Sequence, residues 1–155
     1  MRPSPRLLCL TAIGIAALTA STFEQGPKLV WNASPSVPVG FYSIAGGKYE
    51  IGSLVAVRLP QEIAAQAHAR GYLDHHALLL KTVRAVKGSR VCRLGPIISV
   101  DSRVSALARS HDGAGRPLPH WRGCVTLAYG DLFLLSNVPE SFDGRYFGPL
   151  RRDVE

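Results

Sequence analysis

Apolar positions along this chain fall into one long block followed by many short ones. The block, residues 7–23, reads LLCLTAIGIAALTASTF and carries no charge, with Arg2 and Arg6 in front of it. Residues 24–28 form a polar link containing Gly26 and Pro27. From Leu29 onward, short apolar runs are separated by Gly, Pro and Asn, the pattern of strands and turns. Strands are predicted at 39–44, 53–59, 78–86, 90–94, 97–100 and 131–136, where Val, Ile and Leu are frequent. Residues 60–72, PQEIAAQAHARGY, break that pattern: Pro60 stands at a helix start, alanines fill the middle and Gly71 lies near the end. In residues 110–121, Gly113, Gly115, Pro117 and Pro119 stand too close together for a helix or strand to pass, which predicts a surface excursion. The expected fold is mainly β, with one short helix and one long loop, preceded by an N-terminal transmembrane helix.

The first block sets the address. Its length is at the short end of what spans a bilayer as a helix, roughly 17–25 residues. Arg2 and Arg6 favour an N-inside orientation, with everything after Phe23 outside. A cleaved signal peptide is the rival reading, although a cut after Ala20 leaves Leu18 where a small residue is wanted. The expected organisation is a cytoplasmic tail (1–6), an anchor or signal sequence (7–23) and an exported domain (24–155). In a bacterial setting that places the domain on the periplasmic side of the cytoplasmic membrane.

Composition narrows the partners. With 18 Lys and Arg against 11 Asp and Glu the net charge is +7, but the arginines are scattered rather than clustered with aromatics. Nucleic acid is therefore not expected as a partner, whereas a basic domain held near anionic lipid is. Cys9 lies inside the apolar block as a small filler. Cys92 and Cys124 lie in the exported part, where disulfides persist, and are a candidate pair worth about 3–4 kcal/mol in the chain-entropy model.

Three segments could carry chemistry. The first, 32–42, contains Ser34, Pro35, Ser36, Pro38 and Gly40: a rigid entry to a strand that can present a hydroxyl with little torsional freedom, or simply a Ser/Pro turn. In the second, 77–86, Lys81 is the one lysine of four embedded in an apolar run. It shares a strand face with Leu79 and Val83, while Arg84 lies opposite. Such a lysine either snorkels to water at a sheet edge or loses its charge and can act as a base. The third, 140–149, can close a turn with an Asp143–Arg145 ion pair anchored by aromatics.

Taken in order, Ser-x-Pro-x-Gly-x-Tyr after an apolar block, an apolar run ending Leu-Lys, and SFDGRYFG near the C-terminus resemble type I signal peptidases. The stretch 115–124, GRPLPHWRGC, is closest to their conjugal-transfer, TraF-type branch. The resemblance runs from the apolar block to Pro149 and implies a signal-peptidase-like β domain that cleaves exported precursors, such as a conjugative pilin, after small residues. It assigns Ser36 as nucleophile, Lys81 as base, Ser34 with the Ser36 N–H as oxyanion hole, Ser141 as the serine orienting the lysine, and Asp143–Arg145 as a structural ion pair. No cofactor is implied. The chain departs from the family with Val37 for methionine, Lys87-Gly88-Ser89 for Pro-Gly-Asp, and Gly144 where serine is frequent.

Two alternatives stay open. His75 and His76 follow Asp74 but have no third ligand at metal spacing, so no metal site is expected, whereas a Ser-His-Asp triad using His68, His111 or His120 is a matter of geometry. The alternatives to that reading are a general leader peptidase and a non-catalytic module of a conjugation pore.

Overall fold

Antiparallel pairing organises the described residues into one ribbon and two four-stranded sheets. The computed structural model describes residues 29–74 and 77–151. The expected membrane helix at 7–23, with Arg2, Arg6 and Cys9, and the pair His75 and His76 lie outside the described residues. No helix among the described residues is long and apolar enough to cross a membrane.

Strands β1 (Leu29–Asn32) and β2 (Gly40–Ser43) form the ribbon, in register from Leu29↔Ser43 to Asn32↔Gly40. The central sheet joins β3 (Leu54–Val57), β4 (Leu79–Ala85), β9 (Asp131–Leu135) and β10 (Leu150–Arg151) in the order β10-β9-β4-β3. The second sheet has the order β7-β6-β5-β8, from β5 (Arg90–Leu94), β6 (Ile97–Val100), β7 (Arg103–Leu107) and β8 (Gly123–Thr126). Helix α1 spans Gln61–Ala69, and a single turn, α2, spans Gly144–Phe147.

Strands β4 and β9 are apolar on both faces because both are covered. Leu132 and Leu134 pack with Val55, Val83 and Ala67 of α1, while Phe133 and Leu135 pack with Val91 and Ile98 of the second sheet. A register shift between Val83 and Ala85 leaves Arg84 exposed and sends Ala85 to the second core although Val83 serves the first. The bulge thus turns one strand into the wall shared by both cores.

Helix α1 is shorter than the 60–72 expected. Pro60 precedes it and accepts the Ala64 N–H at 2.9 Å, while Gly71 at φ 71° ends it by turning its own N–H and that of Tyr72 back to His68 and Ala67 (both 2.8 Å). Strands β1, β7, β8 and β10 were not predicted. Strand β7 pairs with β6 across Asp101 and Ser102, both at positive φ (48° and 67°), so its turn lacks the glycine that would have announced it. Strand β8 is exposed along its whole length and β10 has two residues; both exist through their partners.

The excursion after β7 is better ordered than the sequence suggests. His111 pairs with Pro117 in an isolated bridge, and the Asp112 carboxylate accepts from Arg116 Nε (2.7 Å) and from the Tyr72 hydroxyl. Arg116 also donates to the Arg70 carbonyl (3.0 Å) and Arg70 to that of Pro117 (2.8 Å), docking the excursion on the end of α1. It returns through β8, where Cys124 lies directly opposite Cys92 in the ladder and is joined to it by a disulfide.

Candidate active site

The turn between β1 and β2 is built by one side chain. Asn32 Nδ2 donates to the carbonyls of Ser34 (2.7 Å), Val37 (3.0 Å) and Pro38 (3.1 Å), and its Oδ1 accepts from the Ser34 N–H and hydroxyl. With Pro35 and Pro38 restricting the backbone and Val37 buried as a plug, the turn projects Ser36 in a single direction. Asn32 had drawn no role from the sequence, although an Asn opening a Ser/Pro turn is the residue type that bonds its own following backbone.

Ser36 Oγ lies 2.7 Å from Lys81 Nζ and 2.8 Å from Ser34 Oγ. Lys81 comes from the middle of β4, opposite Val55 of β3, and is 2 % exposed. Burial pulls its ammonium down from 10.5 to about 8; nearby Asp143 opposes the shift and Arg145 adds to it. At pH 7 that leaves roughly a tenth of the lysine neutral, against about one part in a few thousand for a lysine in water. Among the described residues, the hydrogen bonds of the Ser36 hydroxyl thus run to Ser34 and Lys81 and not to a histidine.

Behind Lys81 stands the buried ion pair. Asp143 and Arg145 are 0 % and 5 % exposed, with Arg145 NH1 2.6 Å from Asp143 Oδ2. Asp143 also accepts the Arg145 N–H (3.1 Å) and the Ser136 N–H (2.8 Å), while Arg145 donates to the carbonyls of Ser136 (2.7 Å) and Val138 (3.2 Å). Burial pushes the Asp143 carboxyl up, against the pull of Arg145 and the two backbone donors. Gly144 between them has a steric reason: a Cβ there would lie 2.7 Å from the Leu134 carbonyl and from the Phe133 ring. Where the family often has serine, Phe133 occupies the space.

Ser141 differs from expectation. It is buried, but among the described residues its hydroxyl has no hydrogen-bond partner, and no bond to Lys81 is made. Ser136, which the sequence did not single out, instead donates its hydroxyl to the Ser36 carbonyl at 2.6 Å. Its residue type carried no signal, because the contact spans 100 positions.

Ser34, Ser36 and Lys81 open into a cleft of about 730 Å³, lined by apolar residues such as Leu59, Leu79 and Phe142 and closed by α1 and the docked excursion. His68 and His111 also line it.

Comparison with known proteins gives the family. The family model described as signal peptidase, peptidase S26, matches residues 6–154. The plasmid transfer protein TraF of Escherichia coli is 34 % identical over 95 % of this chain and 90 % of its own length. The conjugal transfer protein TraF of Agrobacterium tumefaciens is 36 % identical over 97 % and 90 %, and the probable conjugal transfer protein TraF of Sinorhizobium fredii 37 % identical over 96 % and 84 %. No solved structure matches. The chain is a TraF-type member of the signal peptidase S26 family.

Proposed function

We propose that this protein is a serine endopeptidase in which Lys81 activates Ser36, and that it processes exported precursor proteins in conjugal transfer, a pilin among them. The observation that carries the reading is the 2.7 Å approach of Ser36 Oγ to a buried lysine whose burial favours the neutral amine. Neutral Lys81 takes the Ser36 proton as Oγ bonds to the scissile carbonyl carbon. The developing oxyanion is met by the Ser34 hydroxyl and the Ser36 N–H. Lys81 then passes its proton to the leaving amine, and an ester on Ser36 remains. Water, or an amino group of the substrate itself, attacks that ester as Lys81 again accepts the proton; the acyl–Oγ bond then breaks, and Lys81 returns the proton to Ser36 Oγ. The Ser141 hydroxyl, buried beside the same cleft and unbonded, is available to steady the lysine through these transfers. All groups are side chains or backbone, so no cofactor enters.

The relatives' names, two conjugal and one plasmid transfer protein, support conjugation over a general leader-peptidase role. A membrane address is supported by the apolar block 7–23 and by the exposed Leu29, Trp31 and Phe41 of the ribbon, with Val39 of the turn between its strands.

Covalent labelling tests the reading. A serine-directed acylating probe of the penem class should add its mass to the chain at Ser36, and Ser36→Ala should take up none while folding normally. Ser34→Ala should be acylated about 10²–10³-fold more slowly, the usual loss for one oxyanion donor. A parent chain that resists acylation would make the domain a non-catalytic module of the transfer apparatus.

A further inference from the structure

The turn carrying Ser36 has few attachments of its own. Its two strands pair with each other and belong to neither four-stranded sheet. Two hydrogen bonds tie Ser36 to the central sheet and its extension: the one from Lys81 Nζ to Oγ, and the one from Ser136 Oγ to the Ser36 carbonyl oxygen at 2.6 Å. The first must be remade whenever a proton moves between the two groups. The second involves no reacting atom and can persist throughout.

Ser136 is suited to that task because it is held on every side. It is 4 % exposed and immediately follows β9. Its N–H donates to Asp143 Oδ2 (2.8 Å), its carbonyl accepts from Arg145 NH2 (2.7 Å), and its hydroxyl oxygen accepts the Val138 N–H (3.1 Å). Since the oxygen is already an acceptor there, its one hydrogen is directed to the Ser36 carbonyl. A chain of bonds therefore runs from the buried Asp143–Arg145 pair through Ser136 to the backbone of Ser36.

We infer that Ser136 is a positioning residue: it transmits the rigidity of the Asp143–Arg145 pair to the Ser36 turn and keeps Oγ within reach of Lys81. The inference rests on the Ser36–Lys81 reading above. Ser136 touches neither substrate nor reacting atoms, so it acts through Ser36 alone. Fixing the Ser36 carbonyl restricts the ψ of the residue that bears the nucleophile, and a misplacement of about 1 Å at such a centre costs on the order of 10² in rate.

The test uses the full chain with Ser136→Ala and Ser136→Thr, the latter keeping the hydroxyl. Acylation by a penem is followed by intact mass against probe concentration and pH, and amide exchange is read by mass spectrometry. Ser136→Ala should be acylated about 10–100-fold more slowly at saturating probe, with the half-saturating concentration unchanged within about twofold. The pH at which acylation rises should stay where it is in the parent, because Lys81 keeps its surroundings. Exchange in residues 32–38 should quicken by about tenfold while that in β4 and β5 holds, as expected for local opening. Ser136→Thr should recover most of the parent rate.

Acylation of Ser136→Ala at the parent rate overturns the inference, as does unchanged exchange in 32–38. A displaced pH midpoint overturns it too, since Ser136 would then act through the charge of Lys81. A parent that is not acylated at all removes the Ser36–Lys81 reading and this role with it. That outcome is told apart from failure of the inference alone, in which parent and variant are acylated alike.

Discussion

At the scale of single residues, Lys81 concentrates the opposing demands of stability and chemistry. Its ammonium falls from 10.5 to about 8 in the fold because burial removes its hydration. The folded state therefore binds the proton more weakly than the unfolded chain does. Stability rises with pH between about 8 and 10.5 and is lowest below that window. At neutral pH the cost to the fold is about 3 kcal/mol, at ~1.4 kcal/mol per pKa unit. Lys81→Met keeps most of the volume and removes the proton-binding group. It should lose all acylation at Ser36 yet match or exceed the parent's stability at pH 7, with the difference shrinking toward pH 10; denaturant titrations at several pH values measure it. Parent activity should climb with pH through about 8. A Lys81→Met protein that is destabilised at pH 7 would show that the lysine is charged and structural. The lysine itself was legible because its neighbours in sequence are apolar. Asn32 and Ser136 were not, because a polar residue near a turn reads the same whether it bonds solvent or a backbone far away in the chain.

Elements here take their roles from what covers them. Strand β9 is followed directly by Ser136 and leads within a few residues to Asp143, so a two-sided buried strand delivers the ion pair next to Lys81. The single turn α2 begins on Asp143, whose side chain accepts the Arg145 N–H, and Trp121 from the excursion donates to the Gly144 carbonyl at 3.0 Å. Gly144 is where this packing leaves no slack, with the Leu134 carbonyl and the Phe133 ring both 2.7 Å from where a Cβ would sit. Gly144→Ala should therefore destabilise the fold by about 1–3 kcal/mol, the usual range for overpacking. Thermal or denaturant unfolding checks it, and a neutral result would mean that Phe133 can swing aside. Pairing the substitution with Phe133→Leu should recover part of the loss. The helix α1 and the strands at 90–94 and 97–100 were legible from local signals alone. The edge strands β7, β8 and β10 were not, since what stabilises them is a neighbour's hydrogen bonds.

For the whole molecule, the Ser36 turn, the exposed apolar ribbon and the apolar block at 7–23 follow one another along the chain. If the block anchors the protein with its N-terminus inside, the domain lies on the outer face. A reporter active only outside the cytoplasm should then function when fused after Glu155 and fail when fused at Arg6. The reverse pattern would put the cleft on the side where no exported precursor arrives. The Cys92–Cys124 disulfide is a bond of the kind that persists in oxidising compartments.

What the amino-acid sequence determined by itself was whatever depends on near neighbours. Gly and Pro punctuation decided where most strands break, Pro60 and Gly71 bounded the helix, and the apolar run around Lys81 marked it as a lysine with an unusual environment. The tertiary structure alone decided the rest. The shift between Val83 and Ala85 that lets β4 serve two cores, the docking of the excursion on Tyr72 through Asp112, and the Ser136 hydroxyl reaching Ser36 across 100 positions all join segments remote in the chain. Their physical reason is common: each is a contact whose partner is chosen by packing, and the residues on either side of it look the same whether or not that partner arrives.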